Sequence, residues 1–99
     1  MKNTANIFGL LSDETRLRIL MLLTRKELCV CQLMGVLRIS QPLVSRNLSL
    51  LNRSGFLDER RDGKLIFYSI KKDLSRVHGK AINIIKEELK NDASFRSDL

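Results

Sequence analysis

The sequence predicts a mainly α-helical domain of about five helices, with one two-stranded β-hairpin between the fourth and the fifth. Three observations carry that reading. Apolar residues recur at helical spacing through residues 4–53 and again through 74–90. After Gly55 the pattern switches to two short runs rich in aromatic and branched residues, parted by Asp62-Gly63. That dipeptide accepts the positive φ of a tight hairpin turn. Finally, Arg38 and Ile39 leave room only for a sharp corner between two of the helices.

Composition fits one such domain. Ninety-nine residues hold a single modest core. With 43% hydrophobic residues, five glycines and one proline, the chain is globular and not disordered. We expect one domain over residues 1–99, its core at about 4–90 and a polar, flexible tail at 91–99. A net charge of +7 favours a polyanionic partner, either nucleic acid or an acidic membrane surface. No apolar run approaches the roughly 18 residues of a membrane span, and the N-terminal stretch has no signal-peptide cleavage site. Two cysteines without a secretion signal point to a reducing cytoplasm. There a close pair serves as a ligand set or a redox switch more readily than as a structural bridge.

The first helix, at about 4–11, holds Ile7, Phe8, Leu10 and Leu11, more apolar surface than a lone surface helix needs. Ser12 or Asp13 caps the second, which runs to about Thr24 with Asp13 and Glu14 at its positive end. Leu17, Leu20, Met21 and Leu23 form its buried stripe. The third is expected from Leu28 or Cys29 to about Leu37, with Val30, Leu33 and Leu37 inward. Cys29 and Cys31 flank Val30, and on a regular helix residues two apart point about 200° apart.

The fourth helix, within 39–53, has two unlike faces. Ser40 stands at the N-cap, Pro42 sits in the first turn, and Val44, Leu48 and Leu51 face inward. Gln41, Ser45, Arg46, Asn47 and Ser49 fall mostly on the other faces, and their amide, hydroxyl and guanidinium groups are those that read base edges in a major groove. A helix pair of this kind is a helix-turn-helix. The hairpin, Phe56–Arg61 and Lys64–Ile70, turns Ile66, Tyr68 and Ile70 inward and gathers Arg60, Arg61 and Lys64 at its tip, making a basic wing. The expected DNA contacts are therefore Ser40, Gln41, Ser45, Arg46, Asn47, Arg60, Arg61 and Lys64.

In the last helix Leu74, Val77, Ala81 and Ile84 make one stripe, and His78, Ile82, Ile85 and Leu89 a second beside it. A stripe this wide buries more than one side. With the apolar first helix it predicts a homodimer interface built from Ile7, Phe8, Leu74, Val77, Ala81, Ile82, Ile85 and Leu89. His78 has no partner at ligand spacing and reads as a satisfied interface histidine rather than a ligand.

The segments FGLLSDETRLRILMLL, ELCVCQL, ISQPLVSRNLSLL and GKLIFYSI, in this order and spacing, resemble the bacterial arsenic-repressor (ArsR/SmtB) family over about Ile7 to Leu89. The resemblance implies a dimeric winged helix-turn-helix repressor of a metal- or metalloid-resistance operon. It is closest to the branch that senses As(III) and Sb(III) through a Cys-Val-Cys, here Cys29-Val30-Cys31. It implies double-stranded palindromic operator DNA as partner, the metalloid as inducer, no cofactor for DNA binding, no membrane partner and a cytoplasmic, nucleoid-associated location. Three positions depart from the family pattern. A third cysteine common in the branch is replaced by Met34, a frequent recognition-helix histidine by Asn47, and the zinc-site spacing on the last helix is not met by Asp73 and His78.

Soft thiolate ligands suit a soft metalloid, and a helix N-terminus makes thiolate available. The same pair could instead serve a redox or reactive-sulfur sensing repressor. In a different class, it could belong to a small thiol metal-carrier or redox protein. No catalytic constellation is legible: there is one histidine, no Ser-His-Asp arrangement and no glycine-rich phosphate loop.

Overall fold

The computed structural model describes residues 2–89, ordered as α1 (Lys2–Leu11), α2 (Glu14–Leu23), β1 (Leu28–Cys29), α3 (Val30–Leu37), α4 (Gln41–Arg53), β2 (Leu57–Asp62), β3 (Leu65–Ile70) and α5 (Arg76–Leu89). The expected tail at 91–99 lies outside the described residues. Local chemistry sets the helix starts. Asp13 is extended and its carboxylate accepts the Arg16 N–H at 2.9 Å, opening α2. Ser40 is extended at the head of α4, with the proline in the first turn, although its hydroxyl makes no capping bond. The α3–α4 corner is made by Arg38, which takes the left-handed conformation (φ 58°, ψ 46°) and donates its N–H to Met34 O at 2.8 Å.

The sheet has three strands where the sequence predicts two. Leu28 and Cys29 do not open α3; they pair antiparallel with the wing, opposite Tyr68 and Phe67, giving the order β1-β3-β2. A two-residue strand has no periodicity to betray it, and its partner is remote in the chain. The hairpin turn also moves by one residue. Asp62 still pairs with Leu65, so the loop is Gly63-Lys64, and Gly63 takes the positive φ of 63°.

Ile19, Leu20, Leu33, Val44, Leu48, Leu51 and Phe56 form a core almost sealed from solvent. Around it the two stripes of α5 separate. His78, Ile82 and Ile85 turn inward, with α5 packed on α2. Ile7, Ile82 and Ile85 are only 4%, 5% and 6% exposed within one protomer, so they belong to its own core and not to a subunit contact. The expectation for those three is thereby corrected. A wide stripe signals two burials, but spacing alone does not say which half faces a partner. Phe8 and Ile84 stay 64% and 58% exposed, Val77 is also exposed, and Leu74 and Ala81 lie half-buried against the core. Leu89 ends α5, its side chain outside the described residues.

His78 is satisfied within its own protomer, where the sequence predicts a histidine at a subunit interface. Its Nε2 donates to Ser54 O, its Nδ1 meets the Ser75 hydroxyl, and its ring stands edge-on to Phe56 with centroids 4.5 Å apart. Gly55 passes this ring at positive φ (91°), and a Cβ there would stand 3.2 Å from His78 Nε2.

Candidate thiol site and nucleic-acid interface

Cys29 is the extended N-cap of α3 (φ −95°, ψ 172°), and Cys31 lies in the first turn. Because Cys29 is strand and not helix, the divergence expected of two helical residues does not arise. The two sulfurs stand 3.2 Å apart, and no unwinding of α3 is needed to bring them together. The Cys29 backbone N–H donates to Gln32 Oε1 at 3.0 Å, fixing the turn. Cys29 is buried and Cys31 exposed.

The surroundings distinguish the two thiols. Burial pushes the Cys29 thiol up, but the Cys31 thiol and the backbone N–H groups of the first helical turn donate to it and hold it below its ordinary value. The Cys31 thiol moves up instead, because its hydrogen bond to Cys29, partial burial and the charge of a Cys29 thiolate all favour its proton. Of the pair, Cys29 therefore gives up its proton first, and its thiolate is hydrogen-bonded by the Cys31 thiol.

A cleft of about 550 Å³ opens beside the sulfurs. Cys29, Val30, Cys31 and Met34 form one wall, Gln41 and Ser45 of α4 a second, and Lys64, Leu65, Ile66 and Tyr68 of the wing the third. Three of the residues predicted to touch DNA therefore border the predicted ligand site. Among the described residues no three His, Cys, Asp or Glu side chains gather to hold a metal ion.

On the exposed side of α4, Ser40, Gln41, Arg46 and Ser49 face solvent and Ser45 is half-buried. Asn47 does not join them. It is 4% exposed, donating Nδ2–H to Leu43 O at 3.0 Å and accepting at Oδ1 from Arg16 Nη1 at 3.2 Å. Asn47 is thus a packing residue and is withdrawn from the base-reading set. A polar residue beside an apolar stripe goes inward when a part-buried donor waits for it.

That donor, Arg16, is a residue sequence reasoning passed over. Its Nε also donates to Leu10 O, so one guanidinium ties the end of α1 to α2 and α4. Nothing local marks it, because both partners come from other helices. In the wing, Arg61 and Lys64 are exposed. Arg60 is exposed too, but it is paired: its Nε donates to Glu27 at 3.0 Å and its guanidinium lies 4.8 Å over the Phe67 ring. The Arg60 hydrogen bond holds the Glu27 carboxyl below its usual range. The expectation that Arg60 offers its charge to a phosphate is weakened accordingly.

Comparison with known proteins adds the following. The profile of the family described as "Bacterial regulatory protein, arsR family" matches residues 13–59. The arsenical resistance operon repressor of Escherichia coli is 49% identical over 65 residues, 65% of this chain and 56% of that protein. The cadmium resistance transcriptional regulatory protein CadC of Listeria innocua is 39% identical over 70 residues, 70% of this chain and 59% of its own length. The chain thus spans rather more than half the length of these curated relatives. Among solved structures, the transcriptional repressor BigR from Xylella fastidiosa aligns with a TM-score of 0.76 at 27% identity, over 89% of this chain and 85% of that one. A homodimeric winged helix-turn-helix DNA-binding domain, Mb0332 from Mycobacterium bovis, aligns with a TM-score of 0.73 over 93% of this chain and 82% of that one. At 22% identity it is a likeness of fold alone. Among the described residues no helix is long and apolar enough to cross a membrane.

Proposed function

The chain belongs to the arsR family of bacterial regulatory proteins, and on that premise we propose that it is a transcriptional repressor whose homodimer releases a palindromic operator when As(III) or Sb(III) bridges Cys29 and Cys31. The family is one of DNA-binding regulators and not of enzymes, which also disfavours the thiol-carrier alternative. The observation that carries the reading is the sulfur pair. A soft centre bonded to two thiolates at about 2.3 Å, with the bonds at roughly a right angle, holds its sulfurs about 3.3 Å apart. The spacing here is 3.2 Å. A structural zinc ion takes four protein ligands, and among the described residues no third His, Cys, Asp or Glu joins the pair, which favours a metalloid over zinc.

The two sulfurs also sit on different parts of the reading head. Cys29 lies on the strand paired with the wing, and Cys31 on α3, which packs against α4. An atom bonded to both fixes the wing and the helix-turn-helix relative to each other. Such a bridge weakens DNA binding only if the fixed pose differs from the DNA-bound one. A coupling of about 1–3 kcal/mol would lower operator affinity several-fold to about a hundred-fold.

DNA contact is assigned to Ser40, Gln41, Ser45 and Arg46 on α4 and to Arg61 and Lys64 in the wing. Arg46→Ala should cost about 1–3 kcal/mol on the specific site and little on random DNA. Arg61→Ala should weaken both alike and flatten the salt dependence, because a phosphate contact is blind to sequence. Titrations of each variant on the two DNAs at several salt concentrations check this, and an equal loss on both from Arg46→Ala would withdraw its role as a base reader. The regulator works in the cytoplasm on this reading, where thiols stay reduced.

A second reading has its own support. Thiols 3.2 Å apart, one of them with a lowered pKa, are also placed for oxidation to a disulfide. A release panel on the DNA upstream of the chain's own coding region separates the readings. Arsenite and antimonite should release the DNA and zinc should not. Release by cadmium with arsenite inert would make the inducer a divalent soft ion. Release by peroxide alone, reversed by dithiothreitol, would make the protein a redox sensor.

A further inference from the structure

Resting on the wing contacts assigned above, we propose that Glu27 is an autoinhibitory residue: its carboxylate occupies the guanidinium of Arg60 and withholds that cation from the DNA phosphates. The geometry of the pair is the first reason. Glu27 stands in the loop before β1, 33 positions from Arg60 in the chain. Arg60 Nε donates to Glu27 Oε1 at 3.0 Å and to Oε2 at 3.2 Å, and its Nη2 donates to Oε1 as well. The guanidinium carbon lies 4.8 Å from the centre of the Phe67 ring, and Asp62 Oδ2 stands 4.0 Å from Nη1. A single-point ion pair at a surface holds its partners weakly. Two N–H groups on one carboxylate, with an aromatic ring beneath them, hold the side chain in place.

The second reason is the side of the wing on which the pair lies. Neighbouring residues of a strand leave opposite faces, and residues paired across strands share one. Arg61 pairs with Ile66, which lines the cleft beside α4, so Arg61 emerges on the α4 side. Arg60 pairs with Phe67 and emerges on the other. A hairpin that enters a groove has a phosphate strand along each of its faces. Arg61 can serve one of them, and Arg60 is the cation for the other. There Glu27 and Asp62 set two carboxylates against its single charge.

The third reason is competition. A phosphate that takes Arg60 must displace a carboxylate already fixed in the same chain, and it leaves the Glu27 charge uncovered close to the DNA backbone. The Arg60 hydrogen bond holds that carboxyl below its usual range, so it is ionised at neutral pH. The cost falls on a contact that carries no sequence information. Each protomer therefore binds any DNA with one phosphate contact fewer than its wing charges would allow, and lets go more readily.

The test is a mutant cycle on the full chain, with Glu27→Gln, Arg60→Ala and the two combined, titrated on a random-sequence duplex at several salt concentrations. Glu27→Gln should raise affinity several-fold and steepen the salt dependence by about one counterion per protomer, because the freed guanidinium takes a phosphate. Arg60→Ala alone should change little beside Arg61→Ala, and in the Glu27→Gln background it should erase the whole gain. Circular dichroism checks that each variant is folded, and Arg60→Gln replaces the alanine variant if alanine loosens the wing. A gain that survives Arg60→Ala would reflect only the net charge of the chain and overturns the masking. So does a loss of affinity from Glu27→Gln, which would make the pair a brace. A loss from Arg60→Ala as large as that from Arg61→Ala overturns it too, because Arg60 would already be on the DNA. Arg61→Ala guards the premise: if it leaves the salt dependence unchanged, the wing contact itself is withdrawn. A flattened dependence there, with no gain from Glu27→Gln, overturns the masking alone.

Discussion

A chain carrying Phe8→Glu and Ile84→Glu is expected to sediment as a folded monomer and to lose about two to four orders of magnitude in operator affinity. Both side chains are more than half exposed in the isolated protomer, so charges there meet water and leave the core intact. In a homodimer built on α1 and α5 the same charges would be desolvated without partners, each at a cost of several kcal/mol. The affinity loss follows from linkage. Two half-site contacts held about one helical turn apart act as one ligand, and uncoupling them removes the effective-concentration gain of about 10²–10⁴. Ile82→Glu is the contrasting control. At 5% exposure it places a carboxylate in the protomer's own core, so the whole fold should melt and the dimer with it. Sedimentation and circular dichroism together separate the cases, and a double-glutamate chain that still dimerises would move the interface off α1 and α5.

The Cys29→Ser/Cys31→Ser double variant should bind its operator as the parent does and stay bound at arsenite concentrations that fully release the parent. A serine hydroxyl retains the hydrogen-bonding geometry of the turn, so the N-cap of α3 and the pairing of β1 with β3 survive. It offers no soft donor, so the bridge cannot form. Each single variant should fail in the same way, because one thiolate cannot join the wing strand to α3. Gel-shift titrations with and without arsenite read both properties. Release of the double variant by arsenite would place the sensor elsewhere.

What the sequence disclosed and what it withheld divide along a physical line. The start of α2 was legible because Asp13 and the Arg16 amide are neighbours in the chain. The buried faces of α4 and the existence of the wing were legible from periodicity that lies within each element. Whatever depended on a remote partner was not. Leu28 and Cys29 read as helix because their pairing partners, Tyr68 and Phe67, lie far downstream. Asn47 read as a DNA contact because its partner Arg16 belongs to another helix. Ile82 and Ile85 read as subunit surface because spacing marks an apolar face without naming what covers it. The site was half legible: the cysteines and their softness were plain, but their convergence depended on the strand that periodicity could not show.

The short strand carrying Cys29 has a consequence for anyone who would transplant the thiol pair. A graft of β1, α3 and α4 alone would carry both cysteines and the candidate base-reading helix, yet it would leave behind the β3 strand against which Cys29 is laid out. In a host with a different wing, Leu28 and Cys29 would revert to whatever their neighbours allow, and the sulfurs would lose their spacing. The smallest transferable cassette is therefore the whole interval from β1 to the end of β3. Detection and reading are one part and not two.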